Sequence, residues 1–104
     1  MSIPAFGNNV RLTISNNRFP DGVDVRIDGE ALENIWMITD NYFGATLHAS
    51  GGGGGIDNVM ILDNRVIGDL YVDASDGMVG GNHVSGATTI LTINGVVNQG
   101  TNTP

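Results

Sequence analysis

The side chains able to carry ionic or proton-transfer chemistry are few in this chain: eleven carboxylates, four arginines with no lysine, two histidines and two tyrosines. Several share one spacing. Asp24, Arg26 and Asp28 stand two apart, as do Thr46, His48 and Ser50, and again Asp69, Tyr71 and Asp73. Side chains two apart on an extended strand point to one side. Laid side by side, three such strands put carboxylates beside Arg26, His48 and Tyr71. Carboxylates bond sugar hydroxyls and an aromatic ring covers a sugar face, so Asp24, Arg26, His48, Tyr71 and Asp73 form a candidate carbohydrate-binding row. Paired carboxylates also perform acid–base glycosidic chemistry, but no motif here assigns such a pair, and no catalytic residue is named.

Other chemistries find little support. His48 and His83 lie outside any ligand motif, and a metal needs convergent ligands, so neither a metal site nor a cofactor is expected. The five glycines at 51–55 lack the lysine and following helix of a phosphate-binding loop; they read as a corner. A net charge of −7 with four cations does not suit a nucleic-acid partner or a polybasic membrane anchor. No apolar run approaches the roughly 18 residues of a membrane span. Met1-Ser2-Ile3-Pro4 has no basic, apolar leader character, so no signal peptide is expected. Cysteine is absent, which removes disulfides and thiolate sites.

The elements that must position these side chains are strands. Ten valines, ten isoleucines, 16 glycines and 12 asparagines, against two glutamates and no lysine, make an all-β composition with many tight corners. The length of 104 residues suits one domain over 1–104. Within it four segments align on an asparagine: Ile14-Ser15-Asn16-Asn17-Arg18-Phe19, Ile38-Thr39-Asp40-Asn41-Tyr42-Phe43, Ile61-Leu62-Asp63-Asn64-Arg65-Val66 and Val79-Gly80-Gly81-Asn82-His83-Val84. A glycine follows each, at Gly22, Gly44, Gly68 and Gly86, then a second strand-like run, then a closing glycine at Gly29, Gly51, Gly77 and Gly95. The asparagines are 24, 23 and 18 residues apart. Such spacing fits a chain that returns to lie parallel on itself.

Asn58-Val59-Met60-Ile61-Leu62-Asp63-Asn64-Arg65-Val66 resembles the repeat of right-handed parallel β-helices, the family of phage tailspikes, pectate lyases, polygalacturonases and alginate epimerases. The resemblance implies an all-β, right-handed parallel β-helix (solenoid) of about four coils, over 8–30, 31–55, 56–77 and 78–98, with a tail at 99–104. Equivalent residues should stack about 4.8 Å apart: Ile14, Ile38, Ile61 and Val79 inward; Phe19, Phe43, Val66 and Val84 inward; Asn17, Asn41, Asn64 and Asn82 as a polar corner ladder. Asparagine tolerates left-handed backbone and bonds turn amides, which suits that corner. Residues 1–7 are expected to cover one end.

Met37, Met60 and Met78 each lie four residues before a ladder asparagine, with parity opposite to the aliphatic ladder. Stacked outward methionines make a contact surface. Ile35-Trp36-Met37-Ile38 leaves the register there ambiguous, since four apolar residues cannot all alternate. The short column with open ends, together with the resemblance, implies a structural module of a phage tail spike or similar fibre. It would assemble as a homotrimer, sit on a virion or extracellular surface and contact polysaccharide. The alternative is a carbohydrate-active module: lyase, hydrolase or epimerase. An ice-binding solenoid would need a regular threonine row, which Thr13, Thr46, Thr88 and Thr92 do not supply.

Overall fold

β-branched and aromatic residues at alternate positions, cut every few residues by glycine, asparagine or aspartate, fold as short strands. The computed structural model describes residues 1–5, 7, 10–29, 34–51, 56–92 and 96–97. Among them there is no helix, and none is long and apolar enough to cross a membrane. The strands in chain order are β1 (Ser2–Ala5), β2 (Arg11–Ser15), β3 (Arg18–Phe19), β4 (Val25–Gly29), β5 (Ile35–Thr39), β6 (Tyr42–Phe43) and β7 (Leu47–Ser50). They continue as β8 (Asn58–Leu62), β9 (Arg65–Val66), β10 (Leu70–Ala74), β11 (Gly77–Gly80), β12 (His83–Val84), β13 (Thr88–Thr92) and β14 (Val96–Val97). The described residues are all-β, in three parallel sheets. Sheet I runs β1-β4-β7-β10-β13, sheet II runs β2-β5-β8-β11-β14, and sheet III runs β3-β6-β9-β12. Each strand therefore pairs with the strand three places along the chain.

The register brings like residues together. Ile14, Ile38, Ile61 and Val79 are aligned across β2, β5, β8 and β11, and all four are buried. Phe19, Phe43, Val66 and Val84 are aligned across sheet III, with the Phe19 and Phe43 rings stacked 4.9 Å apart. On sheet I, Ile27, Ala49 and Val72 form an inward row flanked by Val25, Leu47 and Leu70. The ambiguity at 35–38 resolves by plain alternation. Trp36 and Ile38 are buried, while Ile35 is half-buried and Met37 is 40 % exposed.

Two expectations change. Residues Ser2–Ala5 do not merely lie over an end: β1 adds to β4 in register and becomes the terminal strand of sheet I. Gly77 does not close the third repeat but opens β11, opposite Val59 in the row that holds Trp36. Its φ of 130° is one that glycine adopts freely. A Cβ there would also collide with the Val59 backbone, at 2.6 Å from its nitrogen. Residues 52–55, 95 and 99–104, expected as part of a glycine corner, a closing glycine and a tail, lie outside the described residues.

Candidate functional site

The corner between sheets II and III is built from the repeated asparagines. Asn41, Asn64 and Asn82 are buried and Asn17 is exposed. Each backbone amide donates to the side-chain oxygen of the next: Asn17 to Asn41 at 2.9 Å, Asn41 to Asn64 at 3.0 Å, Asn64 to Asn82 at 2.9 Å. Each buried side-chain Nδ2 donates back to a strand carbonyl at 2.9 Å, from Asn41 to Ile14, Asn64 to Ile38 and Asn82 to Ile61. The ladder thus satisfies buried main-chain groups that leave the sheets at this bend. The left-handed residue is not the ladder asparagine but the one before it. Asn16, Asp40 and Asp63 each have φ of 58°, and Gly81 has 66°. Asparagine and aspartate tolerate that conformation best among non-glycine residues, which explains their place there.

Around the outside of sheet I, Arg26, His48, Tyr71 and Thr89 are aligned in one row, and Asp28, Ser50, Asp73 and Leu91 in the next. The structure therefore brings together four of the five expected carbohydrate-binding residues: Arg26, His48, Tyr71 and Asp73. The His48 and Tyr71 rings stack with centroids 4.3 Å apart and their planes nearly parallel. Arg26 Nε donates to both oxygens of Asp28 at 3.0 Å. Asp24 does not join either row. It lies at the corner before β4, where its carboxylate accepts the Thr46 amide at 3.0 Å. Thr46 Oγ1 in turn accepts the Asp69 amide, and Asp69 the Ala87 amide. Asp24 and Asp69 are thus corner supports.

Burial takes water from the His48 imidazole, whose Nδ1 is enclosed without a hydrogen-bond partner, and Arg26 adds repulsion; together they hold its pKa below the usual 6.5. The unfolded chain then binds a proton more readily than the folded one. Stability is full above pH 6.5 and falls as pH drops through the lowered folded value. Urea unfolding midpoints of the native protein should decline over that window more than those of a His48→Gln variant. Parallel curves would show that His48 is not the group responsible.

A second polar surface, unforeseen from the sequence, runs along sheet III. Arg18, Tyr42, Arg65 and His83 form one aligned row. With Asn16, Asn17, Asp40, Asn41, Asp63 and Asn64 they line a groove of about 510 Å³. Arg18 lies 3.9 Å over the Tyr42 ring and 3.9 Å from Asp21. Tyr42 donates its hydroxyl to Asp21 at 2.6 Å, and that carboxylate, holding the proton in place, raises the tyrosine pKa above 10.0. The signal was present in the repeat: the residue after each ladder asparagine is arginine, tyrosine, arginine or histidine.

The outer face of sheet II carries an apolar strip on β5, β8 and β11, bordered by Arg11, Thr13, Ser15, Thr39 and Asn58. Met37, Met60 and Met78 are in register, the first exposed and the others half-buried. Half-buried Ile35 and Leu62 stand in the neighbouring rows. Among the described residues no group of three or more His, Cys, Asp or Glu side chains could hold a metal ion. No family model, no curated protein and no solved structure matches the chain.

Proposed function

We propose that the chain is a right-handed parallel β-helix of four coils serving as a structural and recognition module of a spike- or fibre-like surface assembly. Pairing of every strand with the one three places on supports the coil reading, since each group of three strands then makes one turn. Parallel connections within a sheet are right-handed in nearly all proteins, which supports the hand. The function rests on one observation: the three outer faces differ in chemistry. Sheet II presents an apolar strip of Ile35, Met37, Met60, Leu62 and Met78, bordered by Arg11, Thr13, Ser15, Thr39 and Asn58, whereas sheet I presents Arg26, Asp28, His48, Tyr71 and Asp73. An apolar strip beside a polar aromatic face suits a chain that associates through the first and meets polysaccharide with the second. Full burial of an exposed methionine side chain contributes about 1.5–3 kcal/mol; Met37 is exposed and Met60 and Met78 are half-buried, so together they offset part of the entropy lost on association. Closed symmetry avoids unlimited growth, and the tailspike resemblance favours a homotrimer.

The carbohydrate-active enzyme reading has less support. In the two rows of sheet I, Asp28 is held by Arg26, which leaves Asp73 without a second free carboxylate to share the work of glycosidic chemistry.

Sedimentation at micromolar concentration tests the assembly. The native chain should sediment at three times 10.9 kDa, and a Met37→Glu, Met60→Glu, Met78→Glu variant as a folded monomer. A monomeric native protein would end the fibre reading, and a trimeric variant would move the interface off sheet II. Loss of polysaccharide binding in Tyr71→Ala would tie recognition to sheet I.

A further inference from the structure

We propose that the protein adds to itself end to end: β1 of one copy continues sheet I beyond β13 of the next, and β14 of that copy pairs with β2 of the first. The inference uses the coil order given above and does not rest on the trimer or on polysaccharide contact. The first support is the fit of the two ends. Pairing of each strand with the one three along sets β2, β3 and β4 at one level of the column and β11, β12 and β13 at another. Beyond these levels stand two single strands, β1 on sheet I at one end and β14 on sheet II at the other. Because the overhangs fall on different sheets, two copies in the same orientation can share one level. All the new pairs are then parallel, and the sheet III position of that level is left open. A head-to-tail joint along the axis does not close on itself, so copies add into a filament.

The register runs on across such a joint. Ile3, Ile27, Ala49, Val72 and Ile90 form one inward row. Its three middle members are buried, while the isoleucines at its two ends are partly buried. Stacking sets Ile90 against Ile3 of the second copy and covers both. In the outward row beside it, Leu91, 46 % exposed, comes next to Pro4. On sheet II the register positions of Val96 and Leu12 meet in the same way.

The second support is charge. All eleven carboxylates and all four arginines lie between Arg11 and Asp76. β1, β13 and β14 therefore carry none, whereas the strands of sheet I between them hold Arg26, Asp28 and Asp73. The joint brings in one charge, Arg11 of β2, against an uncharged strand. Edge strands that stay apart are usually blunted by a charge or a proline. β13, Thr88-Thr89-Ile90-Leu91-Thr92, has neither, and four of its five residues are β-branched. β1 sets the strength. The Met1 carbonyl accepts the Arg26 amide, and main-chain groups alternate between the two sides of a strand, so Pro4 turns to the open side. It has no amide to donate, which leaves the joint one hydrogen bond short. Lengthening therefore belongs to millimolar rather than micromolar concentration.

Small-angle X-ray scattering and sedimentation of the full chain from micromolar to millimolar concentration test the joint. The particle should lengthen with concentration at constant cross-section. The Met37→Glu, Met60→Glu, Met78→Glu variant should lengthen too, which separates this joint from association through sheet II. Cross-strand NOEs in a dilute sample report the coil order on their own. Thr88 is exposed yet stands in the inward row of Val25, Leu47 and Leu70, so a second copy covers it. Thr88→Asp should keep the native circular dichroism and abolish lengthening, because a carboxylate is costly to cover unpaired. Asn58→Asp, the same charge added at an exposed position on β8, should change nothing. Pro4→Val, which restores an edge amide, should bring lengthening to about two- to ten-fold lower concentration. The proposal is overturned if the native chain keeps one length up to millimolar concentration or if folded Thr88→Asp lengthens as the native chain does. Loss of lengthening in the methionine variant, or no gain in Pro4→Val, overturns it as well.

Discussion

Replacing Asn64 by leucine, a residue of larger but comparable volume, is expected to destabilise the protein by roughly 2–6 kcal/mol. Asn64 is 1 % exposed. Its Oδ1 accepts the Asn41 amide and its Nδ2 donates to the Ile38 carbonyl. Leucine removes both partners and leaves two main-chain groups buried without replacement, each costing about 1–3 kcal/mol. The same change at exposed Asn17, where the side chain bonds Ser15 and water can substitute, should cost about 1 kcal/mol or less. Urea denaturation followed by circular dichroism compares the two. Equal losses at Asn17 and Asn64 would mean that the ladder is not what holds the corner.

Truncating Trp36 to alanine should cost about 3–5 kcal/mol, the range for a large aromatic removed from a core. Trp36 has no exposed surface and stands in register with Leu12 and Val59. Its ring fills the space that glycine leaves at Gly29, where a Cβ would come within 2.5 Å of Cζ2. The indole Nε1 is buried with no partner, so its polar atom contributes nothing to offset its desolvation. Trp36→Phe should therefore cost under about 1.5 kcal/mol, since it keeps much of the volume and drops the unpaired N–H. Denaturant midpoints measured by circular dichroism separate the pair. A loss in Trp36→Ala no larger than in Trp36→Phe would place the ring outside the packed interior. The buried indole should also give a native fluorescence spectrum shifted to the blue of the unfolded one.

The inward residues were legible because strand parity and repeat spacing say the same thing. Ile14, Ile38, Ile61 and Val79 share one offset from an asparagine, and only a stack with that asparagine at its bend satisfies all four. The tetrad at 35–38 was not legible. Parity there allows two faces, and the choice falls to the neighbouring Val59 and Gly29, which supply the space that a tryptophan ring needs.

Outward chemistry followed a different rule. Spacing two apart put Asp24 in a row with Arg26, but the extended parity stops at Val25, where β4 begins, and Asp24 turns to the Thr46 amide instead. Arg65 and His83 share with Arg18 and Tyr42 the position after a ladder asparagine, but the register of sheet III is what sets the four side by side. By itself the sequence determined that the chain is β, where its asparagine corners fall and which ladder residues go inside, because burial at those strands is enforced by the same alternation. The tertiary structure decided which outer side chains meet. That choice depends on register between distant segments and on where each strand ends, and no local pattern encodes either.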